Sequence, residues 1–133
     1  MGIRRLRVLV VDDNRDIVLT TIALLRVQGH EGMECYNGLE VIQCVKTFDP
    51  DVVVMDIGLP GRSGWDAAKD IRASIPGKRP LLIGISGEFT KGSDSILAQR
   101  SGFDYYLMKP VDPNVLLVLL AQWADDPGLK RRD

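Results

Sequence analysis

Five polar side chains in this 133-residue sequence follow apolar segments, at the points where buried strands would end. They are Asp12, Asp13, Asp56, Ser86 and Lys109. Three carboxylates about 4 to 5 Å apart would repel one another by about 4 kcal/mol per pair at a protein surface. Because Lys109 supplies only one positive charge, a further cation is needed. A hard divalent ion with oxygen ligands and room for waters fits best, so these residues predict a Mg²⁺ site.

Each of these residues alone has a plainer interpretation. The Asp-Asp-Asn run at 12–14 is more often a turn followed by a helix cap, and Asp56 could simply be a loop residue that closes a strand. The Ser-Gly pair at 86–87 is typical of a turn, and the Lys-Pro pair at 109–110 marks the end of a strand. The combination favours a site, because these residues directly follow the first, third, fourth and fifth strand candidates along the chain.

The elements that must position these residues alternate between short apolar runs and longer segments with helical spacing. Several of the short runs are apolar at every position, as strands buried on both faces of a parallel sheet require. The predicted strands cover residues 6–11, 32–36, 52–55, 81–85 and 105–108.

Five helices are predicted between and after these strands. The first begins after the Asn14 cap and has one face formed by Ile17, Thr21, Leu24 and Gln28. The next three are expected near 39–47, 65–75 and 93–100. Asp112 caps the last helix and Pro113 takes its first position.

Strands that alternate with helices in this way predict an α/β fold with a doubly wound parallel sheet and right-handed crossovers. Ligands of such sheets bind beyond the carboxyl ends of the strands. The five polar residues are expected to meet at that edge.

The composition predicts one domain over residues 1–126 and a basic C-terminal tail or severed linker over 127–133. A net charge of −1 provides no general attraction to nucleic acid or to a membrane surface. The longest apolar run, 115–121, has seven residues and is too short to span a bilayer. Cys35 and Cys44 lack a metal-binding spacing. We therefore expect a cytoplasmic protein with no direct nucleic-acid binding and no membrane insertion.

Three segments carry a resemblance to a known family. They are VLVVDDN at 8–14, DPDVVVMDIGLPG at 49–61 and GFDYYLMKP at 102–110. With these segments the sequence resembles the receiver domains of bacterial two-component response regulators, a superfamily of chemotaxis-regulator-like proteins. The resemblance implies a flavodoxin-like, five-stranded parallel sheet in the order 2-1-3-4-5 with five helices.

The resemblance also implies roles for the acidic residues. Asp56 would be the phosphoacceptor, which takes a phosphoryl group from a phosphohistidine of a histidine kinase or a histidine phosphotransfer protein. Asp13, Asp56 and the backbone carbonyl of Gly58 would bind Mg²⁺, with Asp12 acting through a metal-bound water. Lys109 would contact a phosphoryl oxygen, and its bond to the following proline would be cis.

The resemblance implies that Ser86 and Tyr106 form a switch. The Ser86 hydroxyl would move toward the phosphoryl group, and Tyr106 would rotate into the vacated space. The fourth helix, fifth strand and fifth helix would form the output surface. The consecutive apolar residues at 115–120 make that surface a candidate homodimer interface. Gly87 stands where the family usually has alanine, and the polar segment 88–93 is a poor helix start.

Catalysis by such a chain would be limited to its own phosphorylation and autodephosphorylation, so we do not expect a turnover enzyme. One alternative is a phosphorylation-independent interaction module. Another is a small Mg²⁺-dependent aspartyl phosphatase, but such enzymes usually have an Asp-x-Asp pair after the first strand, and here Asn14 stands at the place of the second Asp. The complete acidic site argues against the interaction module, since unpaired buried carboxylates are costly.

Overall fold

The computed structural model describes residues 5–75, 80–87 and 102–125. Its five strands are β1 (Arg7–Val11), β2 (Glu31–Cys35), β3 (Val52–Asp56), β4 (Leu81–Ser86) and β5 (Tyr105–Met108). They form one parallel sheet in the order β2-β1-β3-β4-β5, which confirms the predicted fold and strand order.

Four helices lie within the described residues: α1 (Arg15–Val27), α2 (Val41–Phe48), α3 (Gly64–Ser74) and α4 (Pro113–Asp125). The helix predicted at 93–100 and the tail at 127–133 lie outside the described residues. The second helix begins at Val41, later than predicted, because the Asn37 side-chain oxygen accepts hydrogen bonds from the backbone N–H groups of Leu39 and Glu40. Among the described helices, none is long and apolar enough to cross a membrane.

Two hydrophobic cores lie on opposite faces of the sheet. All five residues of β3 are buried, and their side chains alternate between the cores. Val52 and Val54 pack beneath α1 and α4, whereas Val53 and Met55 pack beneath α2 and α3. This alternation explains why the strand is apolar at nearly every position.

The face that α1 turns toward the sheet is offset by a single position from the face identified by its helical spacing. Val18, Ile22 and Leu25 are buried, whereas Ile17 is 44% exposed. Both sets of residues have helical spacing, so periodicity alone could not separate them. A Cβ on Gly32 of β2 would lie 2.9 Å from Ile22 Cγ2, so the absence of that side chain lets Ile22 pack directly on the strand.

The predicted face of α1 lines a cavity instead. Ile17, Thr21 and Leu24 form one wall of this cavity, and residues of α4 form the opposite wall. Its volume is about 510 Å³, and it reaches Asp56 and Lys109 at one end.

His30 is a buried polar residue between α1 and β2. Its Nδ1 accepts a hydrogen bond from the backbone N–H of Leu6 at 3.1 Å, and its own backbone N–H donates to the Leu25 carbonyl at 3.0 Å. An imidazole that accepts through Nδ1 carries its proton on Nε2 and is neutral. Burial lowers the pKa of His30 below its ordinary value of 6.5.

His30 should therefore make the stability of the protein depend on pH. The unfolded chain takes up a proton at His30 at a higher pH than the folded chain does. As the pH drops from about 7.5 to about 5.5, this difference should lower the free energy of unfolding by up to about 1.4 kcal/mol per pH unit. His30→Asn keeps a side-chain acceptor but does not titrate, so its loss of stability should be smaller. Urea unfolding of both proteins at each pH measures the difference, and parallel pH profiles would contradict the prediction.

Candidate functional site

The carboxyl ends of β1 and β3 bring two acidic residues side by side. Asp12 directly follows β1, and Asp56 is the last residue of β3. The two strands are neighbours in the sheet, and the chain leaves this edge toward opposite faces, as it does at the ligand-binding point of doubly wound folds. Asp12 and Asp56 are each 6% exposed, whereas Asp13 is exposed.

Asp12, Asp13 and Asp56 form a cluster of oxygen ligands. One carboxylate oxygen from each residue lies within 4.8 Å of the other two. The backbone N–H of Asn14 donates to Asp12 Oδ1 at 2.9 Å, and the backbone N–H of Gly58 donates to Asp56 Oδ1 at 3.0 Å. These bonds orient the two buried carboxylates. Such a set of hard oxygen donors fits a small divalent cation.

Lys109 reaches this cluster from the end of β5. Its Nζ lies 3.0 Å from Asp56 Oδ2 and 3.9 Å from Asp12 Oδ2. Its backbone N–H donates to the Ser86 carbonyl at 2.7 Å, which fastens the base of the side chain to the end of β4. The peptide bond between Lys109 and Pro110 is cis, as the resemblance implied.

The charges of the cluster act on one another through a poorly solvated site. Burial raises the pKa of the Asp12 carboxyl, and the neighbouring Asp56 and Asp13 raise it further against the opposing effects of the Asn14 hydrogen bond and of Lys109. Burial alone would lower the pKa of the Lys109 ammonium, but its hydrogen bond and attraction to Asp56, with help from Asp12 and Asp13, outweigh burial and raise it. Lys109 therefore stays charged, and one ammonium does not offset three carboxylates.

Ser86 and Gly58 lie on the loops around the cluster. Ser86 ends β4, directly after Ile85, which pairs with Asp56 across the two strands. The backbone N–H of Ile57 donates to the Ile85 carbonyl at 2.8 Å, which keeps the ends of β3 and β4 together. Gly58 follows as an exposed residue whose main chain borders Asp56. All of the predicted site residues except Tyr106 thus lie at one edge of the sheet.

Tyr106 lies lower in the sheet, in β5 opposite Gly84. Its ring stacks on Trp65 of α3, with ring centroids 5.8 Å apart and an angle of 13° between the ring planes. Phe103 meets the same indole edge-on, also at 5.8 Å. No pattern in the sequence indicates this cluster, because its members lie on different elements and share no motif.

Gly64 sits at a close approach between α3 and the acidic loop. Its backbone N–H donates to the Ile57 carbonyl at 2.8 Å. A Cβ on Gly64 would lie 2.7 Å from both the Asp56 carbonyl oxygen and the Ile57 Cα. Only glycine lets the first turn of α3 pack this closely on the backbone that carries Asp56.

Comparison with known families identifies one match over most of the chain. The family model for the response regulator receiver domain matches residues 8–121.

Individual relatives are similar to this chain over most of its length. The chain is 36% identical over 119 residues to the CAI-1 autoinducer sensor kinase/phosphatase CqsS of Vibrio cholerae, covering 89% of this chain and only 17% of that protein. It is 31% identical over 112 residues to Protein PilH of Pseudomonas aeruginosa, covering 84% of this chain and 91% of that protein.

A solved structure of similar fold is the receiver domain of sensor histidine kinase PA1611 from Pseudomonas aeruginosa. It superposes with a TM-score of 0.80 at 26% identity and covers 92% of this chain and all of that one. That structure has a magnesium ion coordinated in its active site cleft.

The close approach at Gly64 predicts an unusual response to substitution. Gly→Ala at a helical position ordinarily gains about 1 kcal/mol in helix propensity. Gly64→Ala should instead lower the free energy of unfolding by about 1 to 3 kcal/mol, because its Cβ meets backbone atoms that cannot move independently. Gly58→Ala is the matched control, since the nearest atom to its Cβ is Asp56 Oδ1 at 3.9 Å. Urea unfolding of both variants measures the effect, and equal stabilities would contradict it.

Proposed function

The chain belongs to the response regulator receiver domain family, whose members are signalling phosphoacceptors, and we propose that Asp56 is the residue that accepts the phosphoryl group. One observation carries this assignment. Asp56 is the only member of the acidic cluster in hydrogen-bond contact with Lys109 Nζ, at 3.0 Å, while its other oxygen is held by the Gly58 N–H. A buried carboxylate oriented in this way is preorganised to act as a nucleophile.

The donor in this proposal is a phosphohistidine of a histidine kinase or a histidine phosphotransfer protein. A carboxylate oxygen of Asp56 attacks phosphorus, the bond from phosphorus to the imidazole nitrogen breaks, and the imidazole leaves as it takes up a proton. The product is an acyl phosphate on Asp56. Lys109 then pairs with a phosphoryl oxygen in place of its present partner, Asp56 Oδ2, and so keeps a charge-assisted bond throughout.

The acidic cluster is proposed to bind Mg²⁺. Its fit rests on three carboxylate oxygens within 4.8 Å of one another. Asp13, Asp56 and the Gly58 backbone carbonyl would hold the ion, with Asp12 acting through a water. When bound, Mg²⁺ neutralises charge on the phosphoryl oxygens during transfer. The magnesium ion in the cleft of the PA1611 receiver domain supports this choice of metal.

Ser86 and Tyr106 are proposed to relay the phosphorylation state. Ser86 ends β4, the strand next to the one that carries Asp56. Tyr106 pairs with Gly84, which lies two residues before Ser86. A phosphoryl group on Asp56 adds acceptor oxygens that the Ser86 hydroxyl can reach by a small shift of the loop. Tyr106 would then rotate and alter the neighbouring surface.

The predicted output surface combines the fourth helix, which lies outside the described residues, with β5 and the last helix, α4. Val115 and Val118 of α4 are 50% and 56% exposed. Apolar residues in such positions support contact with a second copy of the chain or another protein. Of the two alternatives, neither the aspartyl phosphatase nor the phosphorylation-independent module is favoured by the family match.

The chain spans only 17% of the sensor kinase it matches, half of several DNA-binding response regulators, and nearly all of PilH. Its kinase partner is therefore proposed only by its chemistry, as a protein that carries a phosphohistidine. The range that matches the family model, residues 8–121, includes all three residues of the acidic cluster.

Asp56→Asn should abolish phosphorylation. Incubation with acetyl phosphate and Mg²⁺ should add one phosphoryl group to the unaltered chain, as detected by intact mass. The addition should disappear without Mg²⁺ and in Asp56→Asn, which keeps the size of the side chain but is a poor nucleophile. Asp16→Asn, an exposed substitution on α1, should be phosphorylated normally and serves as the control. Modification that persists in Asp56→Asn would place the acceptor elsewhere.

Asp13→Ala should separate metal binding from phosphoryl acceptance. Removing this oxygen ligand should weaken Mg²⁺ binding by at least about tenfold. Lys109→Ala should still bind Mg²⁺, because it removes no ligand and relieves competition for Asp56, but its phosphorylation should be impaired. A Mg²⁺ titration followed by tryptophan fluorescence measures the affinities, since Trp65 follows Gly64, whose N–H donates to the Ile57 carbonyl in the loop after Asp56. Equal affinity in Asp13→Ala and the unaltered chain would overturn the ligand assignment.

A further inference from the structure

The stacked pair of Trp65 and Tyr106 joins α3 to the strand that carries the proposed switch. The rings lie nearly parallel, at 13°, with centroids 5.8 Å apart. This spacing is within the range at which aromatic pairs attract beyond their simple burial. Phe103 packs edge-on against the same indole, with ring centroids 5.8 Å apart.

The indole is attached to the same stretch of backbone as Asp56. Trp65 lies in the first turn of α3, where the Ser63 hydroxyl accepts the Asp66 N–H at 3.2 Å. The adjacent Gly64 N–H donates to the Ile57 carbonyl, one residue after Asp56. The position of the Trp65 ring is therefore set by the loop that holds the phosphoacceptor.

Ile57 makes a second link between Asp56 and the aromatic cluster. A Cβ on Gly84 would lie 3.0 Å from Ile57 Cδ1 and 3.1 Å from the Phe103 ring. Ile57 and Phe103 therefore approach each other over a strand position without a side chain. Gly84 is also the residue that pairs with Tyr106, so both links converge on the same part of β5.

In the stacked arrangement Lys109 Nζ contacts Asp56 Oδ2 directly, a contact that a phosphoryl group on Asp56 would replace. If Tyr106 moves on phosphorylation, its ring must leave the face of the indole. Any contact made only before that movement stabilises the unphosphorylated state and weakens binding of a phosphoryl mimic by the same factor.

We propose that Trp65 is a positioning residue whose stack on Tyr106 holds the switch tyrosine in its unphosphorylated place and sets how readily Asp56 phosphorylation moves it. The inference rests on the proposed function of Asp56 and Tyr106. It adds a residue of α3 to a switch that the sequence motifs assign to β4 and β5 alone.

The test compares Trp65→Leu with Trp65→Phe for the binding of beryllofluoride in the presence of Mg²⁺, measured by calorimetry. Trp65→Leu removes the aromatic face and should bind the mimic about two- to tenfold more tightly than the unaltered chain. Trp65→Phe keeps a stacking face and should bind nearly as the unaltered chain does. Unchanged or weaker binding in Trp65→Leu would overturn the proposal.

A second arm repeats the comparison in a Tyr106→Leu background. If Trp65 acts through Tyr106, Trp65→Leu should have no further effect there, whereas a general structural effect of the substitution would persist and would overturn the proposal. Urea midpoints of all variants control for stability.

Measurements on the unaltered chain and on Asp56→Asn distinguish failure of the proposed function from failure of the role of Trp65 alone. If the unaltered chain binds no beryllofluoride, or if Asp56→Asn binds it equally well, the proposed function fails and the role of Trp65 fails with it. If the unaltered chain binds it through Asp56 but Trp65→Leu binds it with the same affinity, only the role of Trp65 fails.

Discussion

The repulsion between Asp12 and Asp56 is the constraint around which the rest of the domain is arranged. Their carboxylates are almost fully buried at the ends of adjacent strands, with the exposed Asp13 close by and, among the described residues, Lys109 as the cation in contact. Holding these groups together costs free energy that the two hydrophobic cores must offset. The same excess of negative charge makes the edge of the sheet attractive to a divalent cation, so a local instability of the folded chain is also the source of its chemistry.

Backbone groups, more than side chains, hold this arrangement. The N–H groups of Asn14 and Gly58 orient the buried carboxylates, and the Lys109 N–H is anchored to the carbonyl of Ser86. Each of these N–H donors lies in the backbone just after the end of a strand, so its position is set by that strand. The site therefore depends on the sheet being formed, and the sheet depends on the two cores that β3 divides between its faces.

The sequence was sufficient to predict the strands to within one residue at their ends, and their order followed from the family resemblance. It could also predict that the polar residues would meet at one edge, because parallel strands bring their carboxyl ends together. The helical spacing of α1 identified the face that lines the cavity and not the face that packs on the sheet, since the latter depends on Ile22 packing over Gly32 of another element. The stack of Trp65 on Tyr106 could not be predicted for a related reason. Both contacts arise from tertiary packing, which leaves no periodic signal along the chain.

Arg72, near the end of α3, links the residues that precede β4 and β5. Its guanidinium donates to the carbonyls of Pro80 and Gly102 and to the carboxylate of Asp104, which in turn accepts the Leu82 N–H. One side chain thus closes the entrances to β4 and β5. Because β5 has four residues and pairs with a neighbour on one side only, it would otherwise be the strand whose amides exchange most readily with solvent. Because the Arg72 hydrogen bonds tie β4 and β5 to α3, β5 should open together with its contacts to α3 and should not fray from one end.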